Sequence, residues 1–289
     1  ADVQTLISLV RDADVVIDNF RPGTLERRGL EVSAILASQP ELLWCTITGF
    51  GPASSRPGYD FVVQAECGWM AITGEQDGPP MKAGVALADI IAGKDAAIAI
   101  LGAVAERAVR PLTATERRIN ISLADSARAA LVNVAQNVLV SGVDAKRWGN
   151  AHPNLVPYQL FDAADRPLVI AVGSDGQWVA CATGLALNDL AEDDALRTNA
   201  GRVQNRERVV TAIASRVREM GAHHWLGLLQ AAGVPCGLVK SVGETLIETD
   251  ADARTGVRPS FPGSVRLPPP KLDEHGAAIR RLGWRAFRP

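Results

Sequence analysis

The chain has 289 residues, 47% of them hydrophobic, which suffices for one large domain or two smaller ones. Its 30 Lys and Arg against 32 Asp and Glu leave a net charge of −2, so no basic excess argues for nucleic acid or an anionic membrane surface as partner. The longest purely apolar run, Ala96 to Ala105, is half a membrane span, and the acidic start ADVQTLISLVRDADVV reads as an amphipathic helix rather than a signal peptide.

Leu6, Ile7 and Val10 fall at helical spacing, and DVVIDNF after them has the run of apolar residues of a buried strand. RPGT breaks that strand and TLERRGL opens a helix. ELLWCTITGFG predicts a second strand that ends at Gly49 and Gly51. Helices are predicted over 59–74 and Leu87–Val109, a strand over RRINISL, and one long helix over ADSARAALVNVAQNVLV. DAKRWGNAHPNLVP is polar, with Gly and Pro, and reads as a linker. YQLFDAADRPLVIAVG then predicts a β-hairpin about Asp165–Arg166, followed by the helices NRERVVTAIASRVREM and HHWLGLLQAAG and the strand CGLVKS. The tail FPGSVRLPPPKLDEHGAAIRRLGW is Pro-rich, then briefly helical, and too short to fold alone. The alternation of strands and helices predicts an α/β chain. A large parallel-sheet domain spans 1–141, a linker 142–154, a small α+β domain 155–254, and 255–289 returns to the large domain.

The four cysteines (Cys45, Cys67, Cys181, Cys236) are scattered in apolar surroundings without a C-x-x-C, so buried reduced thiols are expected and no metal site. AGKD at Ala92–Asp95 fails as a phosphate loop because Ala88 stands where the first Gly belongs and Asp95 where Ser or Thr belongs. Three features carry candidate chemistry, each with a plain structural alternative. Asp89 precedes an apolar helical run, where an Asp is usually an N-cap; the position also suits a carboxylate nucleophile held at a helix start. Asn19, Arg21, Arg27 and Arg28 follow a strand end, either as a solvated turn or as an anion site. Asn150, His152 and Asn154 alternate in a polar loop, exposed or turned to a cleft.

Three stretches, ADVVIDNFRPGTLERRGL, GYDFVVQAECGWMAITGEQDGPPMKAGVALADIIAG and GNAHPNLVPYQLF, together resemble the class III coenzyme A transferases of the CaiB/BaiF family, and VRLPPPKLDEHG resembles that family's C-terminus. The resemblance implies a Rossmann-like parallel-sheet domain, N-terminally truncated here, plus the smaller α+β domain. It implies transfer of coenzyme A between carboxylic acids, with acyl-CoA as substrate and no permanently bound cofactor. Asp89 takes the nucleophile's position. Asn19, Phe20, Arg21, Arg27, Gly49, Tyr59 and Asp60 fall on positions around the coenzyme, and Asn150, His152 and Asn154 are candidates for binding substrate. The racemase branch of the family carries His-Asp where this chain has Tyr59–Asp60. A phenol, with an unperturbed pKa near 10, is a poor substitute for imidazole in moving an α-proton. Transferase is therefore the expected activity, closest to the branch using succinyl-CoA with dicarboxylic acceptors. A racemase-like enzyme and an inactive truncated member are the alternatives. The resemblance further implies an interlocked homodimer in the cytoplasm, without membrane or nucleic-acid partners.

Overall fold

Alternate residues of LWCTIT serve two different helical layers, and this sets the architecture of the first half of the chain. The computed structural model describes residues 2–249, 251–258 and 267–287. The chain divides into one unit that runs to Arg147 and takes in the residues from Pro270 onward, and a second unit over Trp148–Pro269.

In the first unit, strands β1 (Val15–Asp18), β2 (Leu43–Thr48) and β3 (Arg118–Ser122) form a parallel sheet in the order β1-β2-β3. Val15 lies opposite Leu43, and Trp44 opposite Arg118. Trp44 packs with Val10, Val32, Leu36 and Leu42, which belong to α1 (Asp2–Arg11), to α3 (Val32–Ser38) and to the turn before β2. The short α2 (Thr24–Arg27) lies between those two helices in sequence. Cys45 and Ile47, of the opposite parity in β2, pack with Ala96 and Ile100 of α6 (Leu87–Arg107). Period-two side-chain placement thus buries both sheet faces, as a parallel sheet requires.

The long α6 rests on small residues. Ala88, Ala92, Ala96 and Ile100 recur every four positions and are buried, so one narrow stripe faces the sheet and its neighbours. The parallel α/β reading therefore holds, whereas two predicted helices prove to be broken. The helix predicted over 59–74 is α4 (Asp60–Glu66) and α5 (Trp69–Ile72), separated at Gly68, whose φ of 89° is left-handed. The long helix after β3 is α7 (Leu123–Ala129) and α8 (Val132–Ser141). Val132 itself stands at φ 42°, a conformation that β-branched residues rarely adopt. Near the C-terminus Trp284 Nε1–H donates to the Leu9 carbonyl at 2.9 Å, which ties this segment to α1.

The second unit holds an antiparallel sheet, β4 (Tyr158–Asp162), β5 (Pro167–Ala171) and β6 (Cys236–Leu238), in that order. Phe161 lies opposite Leu168 across the expected hairpin. Asp165 in its turn accepts the Ala222 N–H at 2.7 Å, and Arg166 pairs with Glu244 at 2.8 Å. Trp178, Trp225, Ile213 and Leu229 fill the core below the sheet. Cys45, Cys67 and Cys181 are buried free thiols, and burial pushes the Cys181 thiol up to about 12, so it is inert at neutral pH. No helix among the described residues is long and apolar enough to cross a membrane.

A close backbone contact shapes the end of β2. A Cβ added to Gly49 would lie 2.4 Å from Gly58 Cα, so the loop from Phe50 to Pro57 leaves and returns through a neck that only glycine fits. Gly49→Ala is expected to destabilise the first unit by about 1–3 kcal/mol through overpacking. Chemical denaturation followed by circular dichroism checks this, with Gly51→Ala as a comparison, since a Cβ there meets no neighbour and only the left-handed φ of 86° opposes it.

Candidate functional site

Above the C-terminal ends of β1 and β2 lies a cavity of about 800 Å³ whose walls include Asn19, Phe20, Arg21, Gly49, Arg56, Tyr59 and Asp89. Open parallel sheets place ligand sites at this end of their strands.

The first wall begins at Asp18, a residue the sequence reading passed over. Its buried carboxylate accepts the Trp44 Nε1–H and the Thr46 hydroxyl, each at 2.8 Å, across the β1–β2 pair. Its other oxygen accepts the Phe20 N–H at 3.0 Å and so turns Asn19, Phe20 and Arg21 off the strand axis toward the cavity. The clue was an Asp closing a strand ahead of Asn, the signature of a side chain that turns its own backbone.

Asp89 does not cap its helix, which corrects one of its two readings. The N-cap of α6 is Ala86, with no side-chain cap of its own, and Asp89 is the third helical residue. The cap comes from 29 positions upstream. Asp60 Oδ1 accepts the N–H of Ala88 at 2.7 Å and that of Asp89 at 3.4 Å. Asp60 Oδ2 accepts the Gln64 Nε2–H at 2.6 Å, and fully buried Gln64 accepts the Ala83 N–H at 2.9 Å on its own oxygen. With the helix amides already served, the Asp89 carboxylate stands in the cavity wall. Partial desolvation pushes its pKa above the ordinary carboxylate range, and the neighbouring Asp60 charge adds to the rise.

Arg56 enters the wall from the loop above the glycine neck and was not singled out from the sequence. Its Nη2 donates to Glu66 Oε1 at 2.5 Å, and its guanidinium lies 4.3 Å from the centroid of the Phe50 ring. Arg27, by contrast, does not line the cavity; its Nη2 donates to Thr24 Oγ1 within α2 at 3.0 Å. Asn150, His152 and Asn154 belong to the other unit. There His152 Nδ1 accepts the Asn154 N–H at 3.0 Å, and the His152 carbonyl accepts from Arg206 at 3.0 Å. No cluster of three or more His, Cys, Asp or Glu among the described residues is placed to hold a metal ion.

Comparison with known proteins gives this geometry a context. The chain is 36% identical to the succinate–glutarate CoA-transferase of Agrobacterium fabrum over 94% of its own length and 72% of that protein's. It is 35% identical to the succinyl-CoA:glutarate CoA-transferase of Mus musculus, over 94% of this chain and 67% of that one. A CaiB/BaiF family protein from Brucella suis, solved by crystallography, superimposes with a TM-score of 0.82 at 36% identity, covering 96% of this chain and 77% of that one. The coenzyme A transferase resemblance seen in the sequence motifs therefore holds over nearly the whole chain. Residues 1–279 match CoA-transferase family III, and the chain belongs to that family of enzymes.

Proposed function

We propose that the enzyme moves coenzyme A from succinyl-CoA to a dicarboxylic acid of about the size of glutarate, with Asp89 as nucleophile. One observation carries this reading: the Asp89 carboxylate faces the cavity uncommitted, because Asp60 supplies the cap that α6 needs. The relatives named above are described as acting on succinyl groups and glutarate, and that supports the choice of acids.

The chemistry follows from the exchange of one carboxylate for another. An Asp89 oxygen attacks the thioester carbon, the C–S bond breaks, and a mixed aspartyl anhydride and a CoA thiolate result. The thiolate attacks the aspartyl carbonyl of the anhydride. This releases succinate, which carries away an oxygen from Asp89, and leaves an aspartyl-CoA thioester. The acceptor carboxylate then attacks that thioester, regenerating an anhydride and a thiolate. Thiolate attack on the acceptor's carbonyl yields the new acyl-CoA and frees Asp89. The aspartyl-CoA thioester joins the same kinds of group as succinyl-CoA, so it lies near the substrates in energy, and each anhydride is an activated species on the way to or from it. The racemase alternative finds no imidazole at Tyr59.

Three outcomes are expected. Asp89→Ala lowers kcat for succinyl-CoA with glutarate by roughly 10³-fold or more. In the unaltered enzyme, mass spectrometry after incubation with succinyl-CoA alone detects a CoA adduct on the peptide containing Asp89; turnover by the Ala variant at the parent's rate removes Asp89 from the mechanism. The second outcome concerns pH. The attacking form is the carboxylate, so activity falls on the acid side as Asp89 takes a proton, at a pH above the ordinary carboxylate range. The charged or titratable groups that share its surroundings are Asp60, Tyr59, Arg21 and Arg56. Asp60→Asn removes the like charge and moves the acid limb of kcat/KM to lower pH, while the lost Gln64 contact lowers kcat without moving that limb. A limb that stays in place or rises shows that Asp60 does not act on Asp89 through its charge. Thirdly, Ile98 and Leu101 on α6 and Leu139 and Val140 on α8 are exposed apolar residues, which supports a homodimer. Light scattering is expected to give twice the chain mass, and the chain mass itself counts against pairing.

A further inference from the structure

A dicarboxylic acid presents two anions, and only one of them reacts. The other stays charged through every step and enters a cavity whose wall already carries the Asp89 carboxylate. Two like charges held side by side repel, so a cation at the distal end would favour binding. Two arginines line the cavity, Arg21 and Arg56. Arg21 sits on the turn that Asp18 directs off β1, next to Asn19 and Phe20.

We infer that Arg56 binds the distal, non-reacting carboxylate of the acid and so selects dicarboxylates over monocarboxylates; this rests on the transferase reading of Asp89 given above. Arg56 is held as a recognition group has to be held. Its Nη2 edge is tied to Glu66 on α4 at 2.5 Å, and its plane lies over Phe50 at 4.3 Å. Its backbone N–H donates to Ser54 Oγ at 3.3 Å within the loop. Phe50 in turn packs on the core formed by Val63, Ala88, Ala92 and Leu123. Ala88 and Ala92 flank Asp89 on α6, so the guanidinium and the nucleophile are referenced to the same packed cluster. The glycine neck fixes both ends of the loop that carries Arg56. A guanidinium has five N–H donors in a planar fork, and the Glu66 bond engages one nitrogen. The fork can therefore grip a second carboxylate without giving up the first, which lysine's single ammonium on a flexible stem does less well.

The same charge chemistry would also suit a phosphate of coenzyme A, and the test separates the two. Glutarate and valerate have the same five-carbon length, and valerate lacks the second carboxylate. With succinyl-CoA as common donor, the ratio of kcat/KM for glutarate over valerate is measured in the parent chain, Arg56→Lys and Arg56→Gln. The donor is shared, so its own dependence on Arg56 cancels in the ratio. The ratio is expected to fall about 10- to 100-fold in Arg56→Gln, with Arg56→Lys between it and the parent. The inhibition constant of free coenzyme A, which carries phosphates and no carboxylate, is expected to stay unchanged. An unchanged acid ratio, including equal loss with both acids, overturns the inference. So does a raised inhibition constant for coenzyme A with the acid ratio intact, which assigns Arg56 to phosphate. Thermal denaturation of each variant identifies misfolding, in which case Glu66→Gln, which unpins the guanidinium from α4 while keeping its charge, is expected to lower the same ratio by a smaller factor; a Glu66→Gln ratio equal to the parent's then overturns the inference. Lack of turnover by the parent chain with any acid is instead a failure of the transferase reading itself.

Discussion

The Asp60 carboxylate on the first amides of α6 is the contact from which the site's chemistry follows. A helix start leaves N–H groups without intrahelical partners, and some acceptor must serve them. If Asp89 did so, its oxygens would be committed to its own backbone. Asp60 reaches across from α4 at 2.7 Å instead, and Gln64 holds it there from a fully buried position. Two neighbouring carboxylates thereby differ in setting, one bound to backbone amides and one facing the cavity. This division is set by geometry, since both residues are the same amino acid.

The path from the sheet to that cap is short. β2 ends at Thr48, Gly49 meets Gly58 backbone to backbone, and Tyr59 and Asp60 follow at once. Errors in loop placement therefore have little length over which to accumulate before they reach the amides of α6. The loop cut off by the neck is free to vary in detail while its ends stay fixed, and it is this loop that carries Arg56. On the other side Asp18 performs the matching service for β1, turning Asn19 through Arg21 off the strand. Both cavity walls are thus extensions of strand ends, each locked by one contact next to the strand.

Much of this was legible in the sequence, and what was not has a common cause. The parallel sheet followed from alternating strand and helix patterns, and the hairpin about Asp165 from its turn residues, because period and turn chemistry are local. The helix break at Gly68 was foreshadowed by a glycine inside the pattern. The break before Val132 was not, since the apolar pattern continues through it. The capping reading of Asp89 fails because cap preferences are read from neighbours, whereas the true acceptor lies 29 positions away and only the tertiary fold brings it near. Arg56 escaped for the same reason: beside Pro57–Gly58 it reads as a turn residue, and its partners Phe50 and Glu66 declare themselves only in space. The family motifs pointed to Asp89 where periodicity alone left two readings open.

The electrostatics of Asp89 combine opposing influences. The positive end of a 21-residue helix favours the anion, and desolvation with the Asp60 charge disfavours it. By occupying the first amides, Asp60 also offsets the helix field that Asp89 would otherwise feel. The result is a carboxylate more basic than an aspartate in water. The nucleophilic role proposed for Asp89 calls for basicity and for a populated anion together. If the helix field acted alone it would give a well-populated but weak nucleophile. If burial acted alone it would drive the group toward its neutral, unreactive form. The cap contributed by a second carboxylate lies between these limits, and it ties the reactivity of Asp89 to the packing of α4 against α6.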